Sequence, residues 1–128
     1  MSGKFFITKT PKGFYRFSLL AGNHEKVLTS QNYVSLSNCR AGINTIKRNA
    51  LSHIEDKTLK NAQEKKFPKY EVYFDNAGFY RYRMLAANGQ NIAMVEDGYP
   101  TKQGCLSGIE AISRAAVEAD IDDSSLKQ

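Results

Sequence analysis

Tyr70, Val72 and Phe74 alternate with Glu71 and Tyr73, a period of two that predicts a half-buried strand. The turn residues Asp75-Asn76-Ala77-Gly78 follow. Alternation resumes with Tyr80, Tyr82 and Met84 against Arg81, Arg83 and Leu85. Asn88-Gly89, a strong hairpin signal, leads into a third strand at Ile92-Ala93-Met94-Val95, which Gly98-Tyr99-Pro100 breaks. The period then lengthens. Thr101 suits a helix N-cap, and Cys105, Ile109, Ile112 and Ala116, at i, i+4, i+7 and i+11, form one apolar helical stripe. A segment from Ala119 to Asp123 predicts a brief closing strand around Ile121.

The same pattern stands earlier in the chain. Phe5 and Ile7 give strand one, and Thr10-Pro11-Lys12-Gly13 a turn with Pro in a favoured position. Tyr15, Phe17 and Leu19 give strand two, and Val27 to Ser30 strand three. Ser35 is the matching N-cap, Cys39, Ile43, Ile46 and Ala50 the matching stripe, and Ile54 the matching closing strand. Gly13-Phe14-Tyr15-Arg16 returns as Gly78-Phe79-Tyr80-Arg81, and 14 of 46 aligned positions are identical. A unit reading strand, strand, strand, helix, strand is therefore used twice, over about 3–57 and 69–123. A polar, Lys-rich linker spans about 58–68, and 124–128 reads as a frayed tail. The predicted fold is α+β: one antiparallel sheet with two helices on one face and a pseudo-twofold axis.

Each unit alone is near the lower size limit for an independent core, so a single domain sharing one core is expected for the 128 residues. No apolar run is long enough to span a membrane, and the first residues lack the features of a signal peptide. A cytoplasmic protein with reduced thiols is the expectation. The net charge of +5 divides unevenly, +8 over 1–66 and −3 over 67–128. A basic half invites an anionic partner; attraction between the halves and a solvated linker account for the same asymmetry.

Gly-x-Tyr-Arg followed by Phe17 or Tyr82, the Ala-x-Asn turns at Ala21 and Ala86, Tyr33 and Tyr99 before the helices, and Gly-Ile-x-x-Ile at Gly42 and Gly108 together resemble the YegP-like family. That family consists of tandem copies of a small domain of unknown function. The resemblance covers nearly the whole chain. It implies two β(3)-α-β units that build a single antiparallel sheet and exchange their last strands, and it brings no established activity. The first repeat departs at Gly22-Asn23-His24-Glu25, where the second has Ala87-Asn88-Gly89-Gln90, so its hairpin is expected to be looser.

Chemistry-bearing residues are few. Cys39 and Cys105 head the apolar stripes and read as small buried residues. No Cys/His cluster suggests a metal site, and no phosphate loop leads from strand to helix. Gly42 and Gly108, mid-helix, point to close backbone approach. Alternation places Arg16, Arg81 and Arg83 with Tyr73 and Phe6 on the sheet face away from the helices. An open face mixing Arg and aromatics suits a polyanion, single-stranded nucleic acid above all. The competing reading is structural: Arg81 or Arg83 paired across strands with Glu71. With no asymmetric acid–base or nucleophile set and no cofactor motif, the reading is a non-enzymatic binding module. It is expected as a monomer with an internal pseudo-dimer, of unknown ligand, with single-stranded nucleic acid as the alternative.

Overall fold

A computed structural model describes residues 3–126. Eight strands, β1 (Lys4–Lys9), β2 (Tyr15–Leu20), β3 (Lys26–Ser30), β4 (Ile54–Asp56), β5 (Lys69–Phe74), β6 (Tyr80–Leu85), β7 (Asn91–Met94) and β8 (Asp120–Asp122), form one sheet. Helix α1 (Leu36–Asn49) follows β3 and α2 (Lys102–Ala115) follows β7. Each repeat thus has the predicted β(3)-α-β order.

The strand order is β4-β5-β6-β7-β3-β2-β1-β8. The two repeats join at the centre, where β3 pairs antiparallel with β7. At the outer edges the closing strands are exchanged: β4 of the first repeat pairs with β5 of the second, and β8 of the second with β1 of the first. Both exchanged pairs are parallel. The sheet is therefore antiparallel through its six central strands and mixed overall, where a wholly antiparallel sheet was expected, because each exchanged closing strand runs parallel to the edge it joins.

The register carries the inside–outside alternation across the repeat boundary. Phe17, Leu19, Leu28 and Ser30 share a face, Ser30 lies opposite Ala93, and Met84 and Tyr82 continue it. Both helices pack on that face. The stripes Cys39, Ile43, Ile46, Ala50 and Cys105, Ile109, Ile112, Ala116 are buried in a single cluster with Phe5, Ile7, Phe17, Tyr70, Val72 and Tyr82. Tyr15 and Tyr80 are half-buried at its margin.

The helix starts follow from their caps: Ser35 Oγ accepts from the Asn38 N–H and Thr101 Oγ1 from the Gly104 N–H, each at 3.0 Å. Gly42 and Gly108 mark where each helix meets tyrosines on the sheet side. A Cβ on Gly108 would lie 2.6 Å from the Tyr99 hydroxyl and 2.9 Å from that of Tyr82, and one on Gly42 would strike the Tyr33 hydroxyl. Two buried tyrosines bind the repeats to each other. Tyr82 Oη donates to the Val27 carbonyl at 2.6 Å and Tyr70 Oη to the Ala50 carbonyl at 2.9 Å. A buried phenol must find such a partner; the counterparts in the first repeat, Phe17 and Phe5, carry no hydroxyl.

The first-repeat hairpin is not looser. The Ala21 N–H bonds to the Glu25 carbonyl and the His24 N–H to the Ala21 carbonyl, matching Ala86 with Gln90 and Gly89 with Ala86. Asn23 and Asn88 each accept from the backbone two residues on. The strands dictate the turn, and His24 takes the left-handed conformation that Gly89 fills freely, with φ of 68°. The tail is partly ordered: Ser124–Leu126 forms a 3-10 turn whose Ser125 hydroxyl donates to the Ile7 carbonyl. The rest of the expected frayed tail, 127–128, lies outside the described residues.

Two outcomes are expected. His24→Gly should raise the urea unfolding midpoint, corresponding to roughly 0.5–1 kcal/mol, because relief at φ > 0 exceeds the added chain entropy of Gly. An unchanged or lower midpoint would count against strain at this turn. Residues 1–66 and 67–128, expressed separately, should not give cooperatively unfolding monomers, since each lacks the strand that closes its sheet; sedimentation and near-UV circular dichroism check this.

Candidate functional site

The helix-free face is laid out by one lateral row of facing residues. From edge to edge it runs Asp122, Phe6, Ser18, Thr29, Met94, Arg83, Glu71 and Glu55. The pseudo-twofold axis falls between Thr29 and Met94, so Phe6 occupies the place of Glu71 and Ser18 that of Arg83. Arg16 and Arg81 lie in the next row on either side. The five residues singled out from the sequence do share this face, but as two patches. Tyr73, Arg81 and Arg83 stand on β5 and β6, Phe6 and Arg16 on β1 and β2. Two intervening strands put these patches about 14 Å apart at ~4.8 Å per strand.

The two patches differ in kind. In the second repeat the face is not open. The linker folds back over it: the Lys65 N–H donates to Glu55 Oε1 at 2.7 Å, and the Lys66 carbonyl meets His53 Nε2 at 2.6 Å. The Phe67 ring lies beneath the Lys69 ammonium, 4.7 Å from its centroid. Beneath this strap Glu55, Lys69 and Glu71 are 4%, 3% and 3% exposed. Lys69 Nζ reaches Glu55 Oε1 at 2.8 Å and Glu71 Oε2 at 3.5 Å, Arg83 Nη2 reaches Glu71 Oε1 at 2.7 Å, and Lys57 reaches Glu71 Oε2 at 3.3 Å. The Lys69 hydrogen bond and the Lys65 N–H hold the Glu55 carboxyl below its ordinary value. At Glu71 burial pushes the carboxyl up, but Arg83 and Lys57 outweigh it and the net direction is down. Unpaired, such buried charges would be strongly unfavourable; paired, they link β4, β5 and β6 at the second sheet edge.

Arg83 is thus in the cross-strand pair with Glu71, and its guanidinium also lies 4.9 Å from the Tyr73 centroid. Arg81 Nε donates to Asp75 Oδ2 at 2.7 Å and its Nη1 to the Glu96 carbonyl at 2.8 Å. Asp75 also accepts from the Ala77 and Phe79 N–H groups, so Arg81 braces a turn. The structural reading of these two arginines accounts for every contact they make. The signal in the sequence was the pair of acids, Glu71 directly opposite Arg83 and Asp75 at the turn.

The first repeat has Phe6 for Glu71, Thr10 for Asp75 and Ser18 for Arg83. Arg16 consequently has no ion pair among the described residues. Lys4 Nζ lies 5.7 Å from the Phe6 ring centroid, and Lys9 Nζ 5.5 Å from that of Tyr15. Thr29 Oγ1, buried in the central row, has no hydrogen-bond partner among the described residues. The two thiols are enclosed. Burial pushes both the Cys39 and Cys105 thiols up to about 11, away from the thiolate form.

The architecture is that of a tandem-repeat α+β protein with exchanged closing strands and both helices on one sheet face. The chain belongs to the family described as Domain of unknown function (DUF1508), whose model matches residues 12–56 and 75–123, once in each repeat. A UPF0339 protein of Bordetella pertussis is 31% identical over 123 residues, 96% of either chain. A UPF0339 protein of Methanosarcina acetivorans is 47% identical over 53 residues, covering 41% of this chain and 90% of its own length, and so is about one repeat long. The solution structure of the E. coli protein yegP, of unknown function, superposes with a TM-score of 0.78 at 28% identity, over 97% of this chain and 94% of that one.

Glu71→Gln should lower stability by about 3 kcal/mol, because it leaves Arg83, Lys69 and Lys57 short of one buried counter-charge. Its pH signature is distinct. A carboxyl held below its unfolded-state value, about 4.3, stabilises the fold above that pH, and the contribution is lost as pH falls through the lower folded value. Thermal melts from pH 7 to pH 2 should therefore show a shallower acid limb in the variant. An acid limb identical to wild type would remove Glu71 from the stabilising network.

Proposed function

We propose that the protein is a small non-enzymatic binding module whose contact surface is the first-repeat half of the helix-free face. Its ligand class is a polyanion, with single-stranded nucleic acid the best match. One observation carries this reading: Arg16 is without an acidic partner among the described residues, whereas its counterpart Arg81 is fixed to Asp75. The surroundings support it. Lys4 is exposed and lies by the Phe6 ring on this face, Lys12 is exposed at the adjoining turn, and the first half carries +8. A guanidinium beside an aromatic ring and lysines combines phosphate contact with a stacking surface. Against an enzyme stand the two thiols, shut in the core, and the carboxylates Glu55 and Glu71, each committed to cations.

Fluorescence anisotropy with labelled single-stranded oligonucleotides at two salt concentrations tests the proposal. Wild type should bind weakly, with affinity falling steeply as salt rises, by about 0.7 log unit per log unit of salt for each phosphate contacted. Arg16→Ala should reduce that slope by about one contact, and Phe6→Ala should weaken binding by about 1–3 kcal/mol through lost stacking. Arg81→Ala should lower stability and leave the slope in place. Absence of binding at low salt, or equal slopes for wild type and Arg16→Ala, would end the polyanion reading.

A further inference from the structure

On the other side of the sheet, the pseudo-twofold axis relates two grooves that share five lining positions, differ chemically at four of them, and differ in that only the first is lined by a helix. The first lies between α1, the segment leading into it, and the β6–β7 hairpin; its volume is about 420 Å³, within the range of small-ligand sites. Gln31, Asn32, Asn38, Gln90 and Asn91 line it together with Tyr33, and no charged residue does. The second groove, about 260 Å³, is lined by Glu25, Lys26, Glu96, Asp97 and Tyr99. Repeat alignment matches Gln31 with Glu96, Asn32 with Asp97, Gln90 with Glu25 and Asn91 with Lys26. Four carboxamides on one side thus stand where three carboxylates and an ammonium stand on the other.

The fold does not require these carboxamides, since the charged set occupies the same positions. In the second groove Lys26 Nζ and Glu96 Oε2 close on each other at 3.1 Å. The matching residues of the first groove, Asn91 and Gln31, make no such bridge. Asn91 Oδ1 is instead fully buried, and no hydrogen-bond donor reaches it among the described residues. A buried carbonyl oxygen calls for a donor. Gly42, which keeps α1 close to Tyr33, also lines the groove.

We infer that the first groove is a binding site for a small uncharged ligand presenting an amide-type edge, a donor beside an acceptor, as a nucleoside base does. A carboxamide offers a donor and an acceptor side by side and pairs bidentately with such an edge, as Asn and Gln do with adenine. A cluster of them without charge selects against anions and cations, whose desolvation nothing in the groove would offset. This site is separate from the Arg16 surface and does not depend on it.

The test is a titration of the ¹⁵N-labelled full chain with adenosine, uridine and glucose, each to about 10 mM, the range where weak sites saturate. Nucleoside-dependent shifts should cluster at Gln31, Asn32, Gln90 and Asn91 and be absent at Glu25, Lys26 and Glu96. The double variant Gln31→Glu/Asn91→Lys installs the second groove's own ion pair. It should keep the wild-type melting temperature and lose nucleoside affinity about tenfold or more, the weight of one bidentate pair. Three results would overturn the inference: no shifts with either nucleoside, shifts with glucose alone, or undiminished affinity in the double variant. Should the double variant melt early, Gln31→Glu alone replaces it, with the same criterion.

Discussion

Neither repeat can close its own sheet, and this constraint organises the whole chain. The outer edge of β1 finds its hydrogen-bonding partner in β8, and that of β5 in β4, each from the other repeat. Unpaired edges are costly in solution because they recruit other chains. The exchange is pinned by ion pairs that also cross between repeats. Asp56, at the end of β4, meets Lys102 at the start of α2, and Asp123, just past β8, meets Arg40 of α1. Lys47 adds a hydrogen bond from α1 to the Ala119 carbonyl. With the Tyr70 and Tyr82 hydroxyls anchored across the same boundary, cohesion between the repeats is built into the core and both edges.

Symmetry ends at the helix-free face. The linker belongs to one side only, since it must run from β4 to β5, which are neighbours. Lying over that side, it encloses Glu55, Lys69 and Glu71, and the sequence meets the enclosure with alternating charge. The other side has no strap. Its equivalent positions carry Phe6 and Ser18, which need no counter-ions.

Most of the fold was legible in the sequence because its signals are local and stated twice. The period of two around Tyr15 and Tyr80, the caps Ser35 and Thr101, and the stripes headed by Cys39 and Cys105 each specify an element without reference to the rest. The parallel edges were less visible, since three-residue strands carry little periodicity of their own. His24 misled because residue preference was read before turn geometry, while the strands on either side had already determined the turn. The linker misled for a different reason. Its residues are polar and Lys-rich, as a solvated segment would be, and only the fold shows that it lies over this sheet edge and gives Glu55 the Lys65 N–H. The pairing of Arg83 with Glu71 was legible as a cross-strand pair; that of Arg81 with Asp75 was not, because the acid sits in the turn rather than opposite it. The two grooves were invisible because each draws on both repeats.

Joining the repeats in one chain has an evolutionary consequence that reaches beyond stability. A one-repeat protein with this topology would have to trade its closing strand with an identical copy. Every substitution would then appear in both symmetry-related grooves at once, and a change favourable in one would be imposed on the other. Tandem duplication removes that coupling. Gln31 can drift from Glu96, and Asn91 from Lys26, while the backbone beneath them stays the same. The duplicated chain thereby acquires two addresses where its symmetric form had one written twice.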